Sequence, residues 1–95
     1  MTAYVVSQVR VEEGEPARRY REAAARSIAA CGGHYLARGG QIEVLEGQWT
    51  TGLVIVAFPD MAAARSWYGS PLYAEALRFR DETLNRNLVI VEGVC

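Results

Sequence analysis

Glycine punctuation constrains this chain more than any other feature. Gly32-Gly33, Gly39-Gly40 and Gly47 set off and interrupt the segment from His34 to Glu46. Glycine reaches left-handed backbone conformations at little steric cost, so a doublet directly after an amphipathic run acts as a helix stop. The run before Gly32 carries Tyr20, Ala24, Ile28 and Cys31 at helical spacing, which defines one apolar stripe. The segment after the doublet reads as extended. Gly39-Gly40 inside it is either a two-residue hairpin turn or a bulge that kinks one long strand. The kinked strand is the preferred reading, because the loop Gly47-Gln48-Trp49-Thr50-Thr51-Gly52 already supplies a reversal.

The remaining segments follow from periodicity. Ala3 to Val11 is a strand with Val5, Val9 and Val11 on one face and Tyr4, Val6 and Gln8 on the other, as expected where both faces are covered. After a turn at Glu12-Glu13-Gly14, Glu15-Pro16 opens a helix with proline at its first position. Glu15–Arg19, Arg18–Glu22 and Glu22–Arg26 are spaced as ion pairs on its outer face. Leu53 to Phe58 is a continuous apolar run of strand length. Asp60 caps a second helix that turns Met61, Ala64 and either Trp67 or Tyr68 inward, and Gly69 breaks it. Ser70-Pro71 restarts it, with Tyr73, Leu77 and Leu84 as the buried stripe and Leu72, Ala76 and Phe79 alongside. Asn85 to Asn87 ends this helix, and Leu88 to Val94 is the last strand. The order β-α-β-β-α-β predicts an α+β, ferredoxin-like fold: an antiparallel sheet with helices on one face.

Ninety-five residues predict one domain, 1–95, with a marginal core of its own, so a partner subunit is expected to cover apolar sheet surface. All ten basic residues are arginine and the net charge is −1, which gives no electrostatic case for nucleic acid or an anionic membrane. No aromatic, basic run of the RNA-recognition type lies on the central strands. The apolar runs are far short of a membrane span and nothing at the start resembles a signal peptide, so a cytoplasmic location is expected. One histidine and two distant cysteines offer no metal-ligand spacing and no disulfide framework. No phosphate loop, nucleophile elbow or dinucleotide fingerprint is present. The expectation is therefore no metal and no cofactor.

A few side chains stand out. His34 begins a strand just after a helix end, where a positive charge is favoured, and is the one candidate for proton transfer. Arg38, beside Gly39-Gly40, is placed either to clamp a carboxylate or enolate oxygen or to pair with Glu43 or Glu46. Arg80 falls on the apolar stripe of the last helix, so it must be paired, face a wet cavity or extend into solvent. Tyr68, Tyr73, Trp67 and Trp49 are amphipathic aromatics suited to a core or an interface. Ser70 reads as a cap.

Taken together, Gly32-Gly33-x-Tyr35-Leu36-x-Arg38-Gly39-Gly40, Val44-Leu45-Glu46-Gly47-x-Trp49, Phe58-Pro59, Ala63-Ala64-Arg65-x-Trp67-Tyr68-x-Ser70-Pro71-x-Tyr73 and Val89-Ile90-Val91-Glu92-Gly93 resemble a bacterial family of short proteins of unknown function. That family belongs to the dimeric α/β-barrel superfamily. The resemblance implies a homodimer in which the sheet of one subunit pairs with its partner's to form a barrel with the helices outside. It also implies a small-molecule pocket for an organic acid, lactone or aromatic compound, with Arg38, Glu46, Tyr68, Ser70, Tyr73 and Arg80 as ligand-binding candidates and His34 as the weak catalytic one. Cofactor-free oxygenation or isomerisation and a non-catalytic, stress-type binding or structural module both stay open. Haem, bound by some relatives, would want a proximal histidine on a later helix, and His34 is not so placed.

Overall fold

The computed structural model describes residues 1–11, 14–78 and 84–94. The elements run β1 (Ala3–Val11), α1 (Glu15–Ala30), β2 (His34–Arg38), β3 (Gly52–Phe58), α2 (Met61–Tyr68), α3 (Pro71–Leu77) and β4 (Leu84–Glu92). The strands form one antiparallel sheet in the order β2-β3-β1-β4, the ferredoxin-like arrangement. Alternation along β1 decides what packs where. Ala3, Val5, Ser7 and Val9 are buried, whereas Tyr4, Val6 and Gln8 between them are only half-buried. Ala3 and Val5, with Val56 and Phe58 of β3, meet Tyr20, Ala24 and Ile28 of α1, Trp67 of α2 and Tyr73 of α3 in one core cluster. The helices thus cover one face. The other face leaves Leu36, Val89 and Val91 exposed.

Local chemistry sets the helix ends. Gly32 closes α1 at φ +82°, and the Gly33 N–H returns to the Ile28 carbonyl at 2.9 Å. Gly33 also lets the chain pass close to the core, since a Cβ there would lie 2.6 Å from the Phe58 ring. Asp60 caps α2 by accepting from the Ala63 N–H at 2.8 Å. Ser70 accepts from the Tyr73 N–H at 3.2 Å and donates to the Trp67 carbonyl at 2.7 Å, which ties the end of α2 to the start of α3. On the outer face of α1, Arg18 pairs with both Glu15 and Glu22, and Arg19 reaches Glu15 at 3.5 Å. The hydrogen bonds from Arg18, helped by its charge, hold the Glu15 carboxyl below the usual carboxylate range.

Several expectations are corrected. The sheet is not closed into a barrel: β2 and β4 are its free edges. Each edge strand has a ladder partner on one side only, β3 for β2 and β1 for β4, so the ladder does not close on itself. β2 ends at Arg38 and does not continue through a kink to Glu46, because Gly39 turns away at φ +69° and residues 39–51 join no ladder. α3 ends at Leu77, and Leu84 to Asn87 belong to β4, paired with Val11, Arg10, Val9 and Gln8 of β1. A full-length ladder against β1 outweighs the helical spacing of Leu77 and Leu84. Glu12 and Glu13 of the expected turn, Phe79 and Arg80 lie outside the described residues, so the place of Arg80 on the expected stripe does too.

Candidate ligand-binding cavity

Between the sheet and α1 lies a cavity of about 300 Å3. Its floor follows from register. Arg38 of β2 pairs with Val54 of β3, Val54 with Ser7 of β1, and Ser7 with Leu88 of β4, so these four residues form one rung across the sheet. Val5 and Val56 lie on one side of the rung, and Val9 with Gly52 on the other. Tyr20, Arg21, Ala24 and Ile28 of α1 form the roof, and Trp67 closes one wall. Small residues make the space: Ala24 above and Gly52 below remove the side chains that would otherwise fill it.

Arg38 reaches this face through a bulge. Tyr35 pairs with Val56 but Ala37 pairs with Ile55, so β2 spends two residues where β3 spends one. Strict alternation would put Tyr35 and Arg38, three apart, on opposite faces. The extra residue brings both to the helix side, where the Arg38 guanidinium stands 4.3 Å from the centre of the Tyr35 ring. Arg38 makes no ion pair with Glu43 or Glu46, which both lie exposed in the 39–51 connection.

The polar groups around the cavity differ in how they are satisfied. The hydroxyls of Tyr20 and Tyr73 share a hydrogen bond of 2.8 Å. The Trp67 indole N–H donates to Ser27 Oγ at 2.9 Å, and Ser27 donates to the Ala24 carbonyl at 2.7 Å. Ser7 is different: it is buried, it lines the cavity, and among the described residues its Oγ has no hydrogen-bond partner. Among the described residues the lining includes two arginines, Arg21 and Arg38, and no carboxylate, imidazole or thiol.

Of the residues singled out from sequence, Arg38 lines the cavity. Tyr73 is fully buried beside it, its ring centred 4.2 Å from that of Trp67 and tilted to it by 39°, and the ring of Tyr68, a residue 42% exposed, lies 5.7 Å from that of Tyr73. Trp67, not Tyr68, is the inward residue of α2. Ser70 is occupied as a cap, and His34 and Glu46 are exposed and not among the lining residues. The sequence reading passed over Ser7, Arg21 and Tyr20 as lining groups. For Ser7 a signal existed, a hydroxyl between Val5 and Val9 on the buried face of a strand. Among the described residues no three metal-binding side chains converge, and no helix is long and apolar enough to cross a membrane.

The fold is similar to that of RPA0582, a protein of unknown function from Rhodopseudomonas palustris, with 19% identity and a TM-score of 0.74 over 99% of this chain and 83% of that one. It is similar to a dimeric ferredoxin-like protein of unknown function from Thermobifida fusca, with 16% identity and a TM-score of 0.62 over 97% and 91% of the two chains. SnoaB, a cofactor-independent oxygenase from Streptomyces nogalater, shares it at 14% identity and a TM-score of 0.60, over 97% and 92%. At these identities the likeness is one of fold. No curated protein matches the chain. Residues 2–94 match the family described as Domain of unknown function (DUF1330), and the chain belongs to that family.

Proposed function

We propose that the chain, as one domain, is a binding protein that holds a small organic acid, lactone or aromatic compound between its sheet and α1. The cavity carries this reading. Protein interiors are packed to the density of organic crystals, and about 300 Å3 of apolar-walled space is at the lower end of the range for ligand sites. A thermal-shift screen of small carboxylic acids, lactones and quinols tests it. A ligand at 100 times its dissociation constant adds about 2.7 kcal/mol, and each kcal/mol raises Tm by roughly 4–8 °C in a domain of this size. Ala24→Leu, which fills the roof without harming helix propensity, is expected to abolish the shift. A panel without hits, or hits indifferent to Ala24→Leu, would overturn the reading.

Catalysis is the second reading, supported by the shared fold of a cofactor-independent oxygenase. Retention of a ligand is favoured over its conversion, because the described lining offers no side chain suited to act as a general base near neutral pH.

We also propose that two copies pack through the uncovered sheet face. Val89, Val6 and Ile55 follow one another across three strands there, as do Val91, Tyr4 and Ala57, with Leu36 at the β2 edge. An apolar stripe of this width on a small domain favours a self-complementary partner. Val89→Asp is expected to turn a dimer into a monomer in analytical ultracentrifugation; a wild-type monomer at micromolar concentration would refute the pairing.

A further inference from the structure

We propose that the cavity selects ligands with two polar ends: an aromatic carboxylate of bicyclic size, its carboxylate held by Arg38 and Arg21 at the mouth and a hydroxyl or carbonyl oxygen held by Ser7 inside. The inference deepens the ligand-binding reading above and rests on it. Size comes first. A cavity of about 150 Å3 admits benzene, so about 300 Å3 admits roughly two fused rings. Charge comes second. Two arginines and no acid among the described lining residues favour an anion. Arg38 is already oriented by the Tyr35 ring 4.3 Å away, and stacking through its face leaves the N–H edge of the guanidinium for a bidentate carboxylate.

The inner end is specified by Ser7. It is 4% exposed, its Oγ has no partner among the described residues, and burying a hydroxyl unbonded is costly. A hydroxyl both donates and accepts, so a phenol or a carbonyl serves it equally well. Ser7 and Arg38 share one rung of the sheet with a single strand between them. Their backbones are therefore about 10 Å apart. A bicyclic ligand lying along that rung, above Val54, presents its ends to both.

Isothermal titration calorimetry of the full chain tests the inference with 2-naphthoate, 6-hydroxy-2-naphthoate and 2-naphthol. Wild type is expected to bind the hydroxynaphthoate about 3- to 10-fold more tightly than the naphthoate, the value of one neutral hydrogen bond. Ser7→Ala is expected to erase that difference while leaving naphthoate affinity in place. Arg38→Gln is expected to weaken both acids by about 10- to 100-fold and to spare the naphthol. Absence of binding by all three probes overturns the proposal, as does discrimination that survives Ser7→Ala or equal losses for acids and naphthol in Arg38→Gln. If other compounds bind and Ala24→Leu blocks them, failure of the naphthalene probes leaves the cavity reading intact. If Ala24→Leu leaves naphthalene binding unchanged, the cavity reading falls as well.

Discussion

Ser7 and Ser27 are both buried, at 4% and 0% exposure, yet the same substitution is expected to act on them in opposite directions. Ser27→Ala removes the acceptor of the Trp67 indole N–H and leaves that donor buried beside Ala24 and Phe58 without a partner. Such a loss costs about 1–3 kcal/mol, and the better helix propensity of alanine returns only a few tenths. Ser7→Ala removes a hydroxyl that has no partner among the described residues, so its desolvation penalty disappears with it. A weaker strand propensity offsets part of that gain, and the net effect is between about zero and 2 kcal/mol of stabilisation. At the middle of these ranges the two variants differ by about 2 kcal/mol or more. Urea unfolding at one fixed protein concentration reads this as midpoints about 1–2 M apart, given slopes of about 1–2 kcal/mol/M. If Ser7→Ala is as damaging as Ser27→Ala, Ser7 has a partner in the folded protein, and the argument from its buried hydroxyl fails.

Gly33→Ala is expected to destabilise by about 1–3 kcal/mol, because the new methyl meets the rigid Phe58 ring at 2.6 Å; unfolding midpoints check it. Ser70→Ala should cost about 1 kcal/mol as a lost cap while leaving ligand affinity unchanged, and a selective loss of affinity would return Ser70 to the site. Deleting Leu36 leaves Tyr35 and Arg38 two apart and Arg38 still opposite Val54, on the helix side by plain alternation, so carboxylate affinity should stay within a few-fold of wild type in calorimetry; a loss as deep as in Arg38→Gln would refute this register. The Glu15 carboxyl should titrate below an ordinary glutamate by NMR and move back up in Arg18→Gln. Because its folded pKa is lowered, its contribution is present above the unfolded pKa and is lost as the pH falls through the folded one.

Much of the fold was legible because it rests on short-range chemistry. Asp60, Ser70-Pro71 and Gly32-Gly33 each act within one turn of helix, and each ends or begins an element as their types suggest. What depended on partners was harder to see. Leu84 and Leu77 are seven apart, a spacing that suits a helix, but pairing with β1 claims Leu84 for a strand. Sheet closure is a matter of strand number and edges, which the expected barrel took from resemblance and the open β2-β3-β1-β4 sheet does not share. In the cavity, the types of Arg38 and Tyr73 drew attention from sequence. The face of Arg38 did not follow from its position, because a bulge inverts alternation and leaves no residue signature of its own.

The two glycine doublets show the same limit from another side. Gly32-Gly33 and Gly39-Gly40 are identical as dipeptides, each has a first glycine at positive φ, and each ends a regular element. Their surroundings give them opposite roles. A Cβ on Gly33 would strike Phe58, whereas one on Gly39 or Gly40 would meet nothing within 4 Å. The first doublet is small so that the core can close around it. The second is small in open space, where it ends β2 one residue after the bulge has turned Arg38 inward. Gly39 lines the mouth beside Arg38, and Gly52 stands one step along the floor, so no side chain at either position screens the guanidinium from an entering anion. The bulge aims the charge and the glycines leave its approach open.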